Sequence, residues 1–188
     1  MIQLKNLKTQ FIGRNICYYE SITSTQDKAK ELIQKGQADG TIVIAKMQTK
    51  GKGTKGRIWY TGEDNLAFTM ILYPKCEMKK LEGITIQIAK CMIQTIKQLY
   101  GVQLEIKKPN DIMLNGKKMG GILTQTTTRE EKVNSLLIGI GLNIHQTNFP
   151  PEIDLLATSL KKELGGKYNI EEIIATFCNL FEKKYTEL

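Results

Sequence analysis

The sequence predicts one α+β domain, residues 1–188, in which a mixed, mostly antiparallel sheet packs against helices. Three observations lead to this class. The predicted elements run in the order β, α, β, β, α and then several β, which favours an α+β arrangement. Asn115-Gly116 is the strongest type of short-range hairpin signal. The length is normal for a single domain, and no repeat, low-complexity tract or linker divides the chain.

The first part of the chain contains three predicted strands and one helix. Two continuous apolar runs, 41–46 and 65–74, are typical of buried strands. A shorter strand at 16–19 precedes a helix that Ser24 or Thr25 can cap. The apolar stripe of this helix and the glycine that can end it are Ala29, Leu32, Ile33 and Gly36.

The second part begins with the central helix. Apolar residues recur at helical spacing within 81–100, and Gly101 follows as the stop. The remaining predicted elements are strands at 103–107, on both sides of Asn115-Gly116 and at 135–144, and a helix from about Ile170 capped by Asn169.

The composition is that of a soluble globular protein, with 41% hydrophobic and 24% charged residues. No apolar run approaches the roughly 18 residues that cross a bilayer, and the N-terminus lacks the features of a signal peptide. We therefore expect a cytoplasmic protein that does not bind membranes. The four cysteines form no C-x-x-C pair and the only histidine is His145, so no metal-ligand cluster is predicted.

Positive charge is concentrated at one glycine-rich segment. The formal net charge is +8, which alone suits a nucleic acid, a nucleotide or an acidic protein partner. Five basic residues fall between Lys46 and Arg57 with no acidic residue among them, and this stretch contains GKGTKGR at 51–57. Elsewhere lysines and glutamates intermix. The distribution predicts an anionic ligand at this loop.

Three phosphate-binding patterns match the loop in part. Gly51, Gly53 and Gly56 satisfy G-x-G-x-x-G, but a loop and a strand follow where a dinucleotide-binding fold needs a helix. Arg57-Ile58 replaces the Lys-Ser/Thr pair of a P-loop. The sequence has neither the H-R-D nor the D-F-G segment of a protein kinase. By itself, the loop is also compatible with a flexible basic segment that binds nothing.

A second segment, KKPNDIMLNGKKMGGIL at 107–123, favours a ligand site. Pro109 keeps the chain extended, and Asn110-Asp111 offers amide and carboxylate groups close together. Two adjacent glycines, Gly120-Gly121, allow a ligand to approach the strand backbone closely. An ordinary hairpin would explain Asn115-Gly116 but not these features together.

With these two segments the chain resembles the biotin protein ligases. Members of that family share a Ser-Thr-Asn start, a basic glycine loop followed by Trp, a KWPND segment, a K-x-(G/A)-GIL strand and a late GIGxN. The corresponding blocks here, in the same order, are STQ at 24–26, Q-x-x-GKGTKGR-x-W at 48–59, KKPNDI at 107–112, KMGGIL at 118–123 and GIGLN at 139–143. The resemblance implies the biotin/lipoyl ligase catalytic fold, which is similar to that of class II aminoacyl-tRNA synthetases.

The resemblance also implies an enzyme with two half-reactions. The carboxylate of biotin attacks the α-phosphate of ATP, whose Mg²⁺ accompanies the nucleotide, and biotinyl-5′-adenylate and diphosphate form. A lysine of a biotin carboxyl carrier domain, in acetyl-CoA carboxylase or a related carboxylase, then attacks the activated carbonyl and AMP leaves. The family analogy allows a homodimer formed through an exposed sheet edge.

Roles follow by position in the matching blocks. Lys118 is expected to contact the biotin carboxylate and the α-phosphate, and it forms the predicted catalytic pair with Arg57. The residues expected to bind biotin are Ser24, Thr25, Gln26, Gln48, Gly51, Lys52, Gly53, Thr54 and Gly121. Those expected to bind the nucleotide are Arg57, Trp59, Asn110, Asp111, Lys118 and Asn143. Asp111 is interpreted as assisting magnesium or nucleotide binding, or as a turn residue, and Trp59 as a wall beside adenine or as core.

Four positions depart from the family pattern. Thr54 stands where an arginine helps to retain the reactive adenylate, so weaker retention is expected. Lys52 replaces an arginine and loses its planar bidentate geometry. Lys108 and Gln125 stand where a tryptophan and an acid are usual. These changes leave open a leaky ligase, an altered substrate or a degenerate paralogue.

Alternative functions and the chain ends complete the prediction. A lipoate or octanoyl ligase shares the fold and the acyl-adenylate chemistry, but typically places arginine before a run of glycines. A non-catalytic module could use the basic loop to bind biotin or nucleic acid, although no RNA-recognition aromatic cluster is present.

Only 23 residues precede Ser24, so we expect no winged-helix domain and no operator DNA binding. The small C-terminal β-domain of most members is not expected after the last helix.

Overall fold

The computed structural model of the protein describes residues 2–62 and 65–187, and it confirms the predicted fold class. Within these residues seven strands form one sheet: β1 (Ile16–Ile22), β2 (Ile42–Gln48), β3 (Leu66–Leu72), β4 (Glu105–Lys107), β5 (Asp111–Leu114), β6 (Lys117–Arg129) and β7 (Lys132–Leu142). The helices are α1 (Thr25–Gln34), α2 (Ile84–Tyr100), α3 (Leu160–Leu164) and α4 (Ile170–Tyr185). The sheet order is β1-β2-β3-β7-β6-β5-β4; β1 and β2 are parallel, and every other neighbouring pair is antiparallel.

The predicted caps form as the local sequence indicates. The Ser24 hydroxyl accepts a hydrogen bond from the Gln26 N–H at the start of α1, and the Asn169 side chain accepts one from Glu172 N–H at the start of α4. Gly101 adopts the left-handed conformation that ends α2. Because these signals act within a few residues, the sequence predicts Asn169 and Gly101 directly and narrows the first cap to Ser24 or Thr25, of which the structure uses Ser24.

Several elements differ from the prediction. Helix α2 begins only at Ile84, after Gly83. Strands β6 and β7 are longer than predicted and pair as a second hairpin, whose turn at Glu130-Glu131 uses two residues with positive φ and no glycine. The short helix α3, capped by the Ser159 hydroxyl, was not predicted at all.

One face of the sheet carries the main core. Successive side chains of a strand point to opposite faces, and the even-numbered apolar residues of β3 and β7 pack under α2 and α4. Phe68 of β3 lies edge-on to Phe177 of α4, with 6.0 Å between ring centroids. Phe177 in turn stacks on Phe181. This layer fixes the position of β3 and β7 from behind.

Helix α1 covers part of the opposite face. Its Ala29 packs with Val43, Ile71 and Leu137 in a second, smaller cluster. Ile71 and Leu137 are paired across β3 and β7, so this cluster closes one end of the face. The functional site lies on the part of the same face beyond α1.

Candidate active site

Small residues leave a hollow on the face that α1 covers in part. Next to the Ile71–Leu137 pair, the register places Thr69 opposite Gly139 and then Ala67 opposite Gly141. Strand β6 adds Gly121 opposite Gly141. These five small residues line a cavity of about 250 Å³. The strand register therefore brings small residues from three strands together as the floor of the cavity.

All but two of the predicted site residues line this cavity. They come from the start of α1, the end of β2, the glycine loop at 51–57 and the central strands. The predicted residues that line the cavity are Ser24, Thr25, Gln26, Gln48, Lys52, Gly53, Thr54, Arg57, Trp59, Asn110, Lys118, Gly121 and Asn143. Segments far apart in the chain thus meet at one site.

Gly51 and Asp111 are the two that do not line the cavity. The Gly51 carbonyl accepts a hydrogen bond from the Trp59 N–H at 2.9 Å, and a Cβ at position 51 would lie 2.2 Å from the Trp59 carbonyl oxygen. Gly51 therefore shapes the base of the loop, and its predicted contact with biotin stays a prediction. Asp111 does not reach the cavity itself but forms an ion pair with Lys118, which lines it.

One end of the cavity is polar and internally hydrogen-bonded. The backbone N–H and the hydroxyl of Thr25 both donate to Gln48 Oε1, at 2.7 and 3.1 Å. The Thr69 hydroxyl bridges Thr25 Oγ1 and Gln26 Oε1, at 2.9 and 3.0 Å. Gln48 Nε2 donates to Thr61 Oγ1 at 2.9 Å. Because these groups hold one another, they present fixed donors and acceptors to a ligand.

The glycine loop forms a tight turn with its cations around the cavity mouth. Gly53 N–H donates to the Arg57 carbonyl at 2.7 Å. The Arg57 guanidinium turns back to Thr54, with Nη2 2.7 Å from Thr54 Oγ1. Lys52 Nζ pairs with Asp27 of α1 at 2.6 Å. The loop is therefore tied to α1 through one of its cations.

A β-bulge determines where Lys118 points. Ile112 pairs with Gly120, but the next residue of β5, Met113, pairs with Lys118. The extra residue, Met119, is fully buried in the main core, while Lys118 lines the cavity on the other face. A bulge re-aims side chains in this way by breaking the alternation. Lys118 Nζ then lies 2.6 Å from Asp111 Oδ1.

Trp59 forms a wall of the cavity beside Lys118. The Lys118 ammonium lies 5.7 Å from the centroid of the indole ring, within cation–π range. A Cβ at Gly141 would lie 2.3 Å from the ring, so glycine is needed there. The indole Nε1 is buried without a hydrogen-bond partner among the described residues. This position favours the interpretation of Trp59 as a site wall over that of plain core packing.

Asn110 and Asn143 brace the site with their side chains. Both are buried, and their amide groups donate to backbone carbonyls at 3.1 Å, Asn110 to Ile122 and Asn143 to Thr158. The Lys108-Pro109 peptide before Asn110 is cis. The residue type alone does not predict that either asparagine side chain donates to a backbone carbonyl. Their contact with nucleotide stays a prediction.

The structure adds a segment that no sequence pattern singles out. Residues 149–157 lie along the cavity, and the chain pairs with Lys118 through two backbone hydrogen bonds, from Lys118 N–H to Leu156 and from Thr158 N–H to Lys118. Tyr60 donates to Glu152 at 3.0 Å, which raises the pKa of Tyr60. The segment's cavity-lining residues are Phe149, Ile153, Leu156 and Ala157.

Other candidate chemistry is limited among residues 2–62 and 65–187. No group of three or more His, Cys, Asp or Glu in this range could hold a metal ion. The four cysteines are free thiols, and His145 accepts a hydrogen bond from Tyr168 N–H. No helix in the described ranges has both the length and the apolar character that a membrane span needs.

Comparison with known proteins identifies the family. A sequence model of the biotin/lipoate A/B protein ligase family matches residues 18–143, which include the glycine loop, the Lys118 strand and Asn143. The chain therefore belongs to the biotin/lipoate A/B protein ligase family.

Individual relatives give the same assignment. The chain is 38% identical over 184 residues to the bifunctional ligase/repressor BirA of Bacillus subtilis, covering 96% of this chain and 57% of that protein. The biotin protein ligase of Aquifex aeolicus in complex with biotin and ATP superposes with a TM-score of 0.80 at 27% identity, covering 93% of this chain and 71% of the other. The Leishmania major enzyme in complex with biotinyl-5-AMP gives 0.76 at 26%, covering 93% and 76%. The chain thus spans just over half the length of the Bacillus relative.

Proposed function

We propose that the protein ligates biotin to a lysine of a biotin carboxyl carrier domain through biotinyl-5′-AMP, at the expense of ATP. The observation that carries this proposal is one cavity with a polar end, an apolar indole wall and cations at its mouth. The polar end suits the cyclic urea of biotin, and the cations suit phosphate and carboxylate oxygens. The complexes of the Aquifex and Leishmania proteins support both ligands.

In the first step a carboxylate must approach a polyanion. Its oxygen forms a bond to the α-phosphorus while the bond to the bridging oxygen breaks, and diphosphate leaves with the electron pair. Lys118, fixed by Asp111 and the bulge, places positive charge where the attacking oxygen and the α-phosphate meet. Arg57 supplies a second cation from the loop. Charge fixed at the position where negative charge develops is usually the largest catalytic contribution in such steps.

The residues fit a magnesium ion that arrives with ATP. The described residues contain no cluster that could hold the ion alone, whereas the Asp111 carboxylate beside Lys118 is an oxygen ligand of the kind magnesium prefers. Asp111 would hold the ion, which when bound neutralises charge on phosphate oxygens. Without the ion, Asp111 orients Lys118.

In the second step the acceptor lysine enters from the open mouth. Its amine nitrogen bonds to the acyl carbon, the bond to the adenylate oxygen breaks, AMP leaves and the nitrogen loses a proton to solvent. Ile58 and Leu156 both line the cavity and are largely exposed, 65% and 67%, so the mouth offers an apolar rim to a carrier domain. The identity of the carrier is part of the proposal.

The test is ATP–diphosphate exchange with magnesium in three reactions, with biotin, with lipoate and with no acid. Biotin-dependent exchange is expected. Exchange with lipoate alone would assign the protein to the lipoate branch of the family. Exchange with neither acid would reject the adenylation step, and biotin binding would then be measured directly by calorimetry.

A further inference from the structure

The Gln26 side chain has a hydrogen-bond partner at each end of its amide group. Its side chain is 2% exposed and lines the cavity. Its carbonyl oxygen, Oε1, lies 3.0 Å from the Thr69 hydroxyl. Its amide nitrogen, Nε2, donates to Gln125 Oε1 at 3.3 Å. Both ends of the amide thus have a partner on the sheet.

The floor of the cavity is shaped to receive this amide. A Cβ at Gly139 would lie 2.7 Å from Gln26 Oε1, so a larger residue there would displace the Gln26 side chain. Thr69 and Gly139 are opposite each other across β3 and β7. The Gln26 side chain therefore extends from α1 to the centre of the sheet.

Gln125 contacts a cavity-lining residue through its hydrogen bond with Gln26. It lies on β6, two residues after Leu123 and opposite Leu137 of β7, and it does not line the cavity. Either the oxygen or the nitrogen of a primary amide can occupy a given position, and the hydrogen-bond partners of the amide determine which orientation it takes. With Thr69 at the oxygen and Gln125 at the nitrogen, the Gln26 nitrogen keeps one further hydrogen for a ligand.

We propose that Gln125 is a positioning residue that orients the Gln26 amide, so that Gln26 Nε2 donates to the carbonyl oxygen of a cyclic urea head group. This inference rests on the proposed biotin-ligase function and adds a basis for specificity. Biotin carries a hydrogen-bond acceptor on its ring system, whereas the dithiolane of lipoate carries none. A site that is built to donate a hydrogen bond discriminates against ligands that lack the acceptor.

The pair is tested by replacing Gln125 with methionine, which keeps the length and removes the acceptor. Gln125→Met is expected to raise the Kd and the KM for biotin about fivefold, the equivalent of one net hydrogen bond, and to leave kcat unchanged. Gln125→Glu keeps an acceptor and is expected to restore both values. Gln98→Met, the same change at an exposed position of α2, serves as the control.

Desthiobiotin separates the urea from the rest of the ring, because it keeps the cyclic urea and lacks the sulfur. The same fold-loss for desthiobiotin and biotin is expected. A loss confined to biotin would overturn the assignment to the urea carbonyl. An unchanged Kd for biotin in Gln125→Met would overturn the positioning role.

The exchange reaction of the unaltered chain distinguishes a failure of this inference from a failure of the proposed function. If the unaltered chain neither binds biotin nor supports exchange, the proposed function fails. The urea contact then fails with it, and the pair is judged in ligand-free protein labelled with ¹⁵N. The side-chain amide resonances of Gln26 are expected to shift in Gln125→Met and not in Gln98→Met. Unshifted resonances would show that Gln125 does not hold Gln26.

Discussion

Lys118 Nζ lies 2.6 Å from Asp111 Oδ1, and this pair places one positive and one negative charge at the same side of the cavity. The carboxylate is mostly shielded from solvent, with 19% side-chain exposure, so it meets the ammonium at reduced dielectric. The oxygen has no partner with hydrogen-bond geometry among the described residues. The contact is therefore an ion pair that a phosphate or a metal ion can reorganise.

Replacing Lys118 is expected to abolish adenylation without unfolding the protein. In Lys118→Ala the cation at the reacting oxygens is lost, and exchange should fall at least about 100-fold, as for other removed electrostatic contacts. The matched control is Lys117→Ala, its neighbour on β6, which does not line the cavity. Wild-type exchange in Lys118→Ala would contradict the catalytic assignment, and circular dichroism verifies the fold of both variants.

Local sequence signals predict helix caps and one turn, but they do not predict the direction of Lys118. The cap at Asn169 and the turn at Asn115-Gly116 depend on neighbouring residues, so the sequence predicts them correctly, and Ser24 is one of the two caps that it allowed for α1. The bulge that moves Lys118 to the cavity face depends on how β5 and β6 pair with the rest of the sheet, and no local signal marks it. The block pattern located Lys118, but only the register explains its direction.

Part of the cavity floor and the segment beside it were missed for similar reasons. Gly139 was noted only as part of the GIGLN block and Thr69 not at all, since their place in the floor arises only when β3 and β7 pair in register. Residues 149–157 carry neither a helical nor a strand period. The end of this segment is held by backbone bonds between Lys118 and two residues, Leu156 and Thr158, which lie 38 and 40 positions further along the chain. Long-range pairing of this kind is invisible to local patterns.

Gly141→Ala is expected to displace Trp59. The new Cβ would lie 2.3 Å from the indole ring, so the ring must move, at a cost of about 1–3 kcal/mol in the free energy of unfolding. Trp59 is the single tryptophan, so its fluorescence reports on this movement alone. We expect the emission maximum to shift to the red. Gly62→Ala, whose nearest neighbour would be 3.7 Å away, serves as the control. An unshifted spectrum would show that the wall tolerates a methyl group.

Thr54→Arg is expected to slow the release of the adenylate. Thr54 lines the cavity mouth without a charge, and a guanidinium there would add a charge-assisted contact to the phosphate. About tenfold slower release is expected, which corresponds to roughly 1.4 kcal/mol. The rate is measured by trapping adenylate released from a preformed complex. Thr128→Arg adds the same charge on an exposed part of β6, and equal slowing in both variants would indicate a general charge effect.

The pH dependence of stability is expected to change when Glu163 is neutralised. Hydrogen bonds from Thr158 and Asn115 lower the pKa of Glu163 below its ordinary value of 4.5. A lowered folded-state pKa stabilises the protein above pH 4.5, and this contribution is lost as the pH falls through the folded-state pKa. Urea unfolding should therefore show Glu163→Gln less stable than the unaltered chain at pH 7, with the gap closing below pH 4.5.

The control for this comparison is Glu105→Gln, on an exposed position of the edge strand β4. Its stability difference from the unaltered chain should remain near zero across the same pH range. A gap for Glu163→Gln that stays constant into acid would show that the hydrogen bonds, and not the carboxylate charge, account for the effect.

Glu182→Gln is expected to loosen the N-terminal segment from α4. The buried Glu182 carboxylate accepts hydrogen bonds from the backbone N–H groups of Gln10, Phe11 and Ile12. A glutamine amide has one oxygen in place of two and turns a donor toward one of these donors, so the free energy of unfolding should fall by about 2–3 kcal/mol. Glu187→Gln, on the exposed side of the same C-terminal region, should change it little because exposed ion pairs contribute little. Hydrogen exchange localises the effect: faster exchange at residues 10–12 is expected, and a uniform increase over the whole sheet would instead indicate global destabilisation.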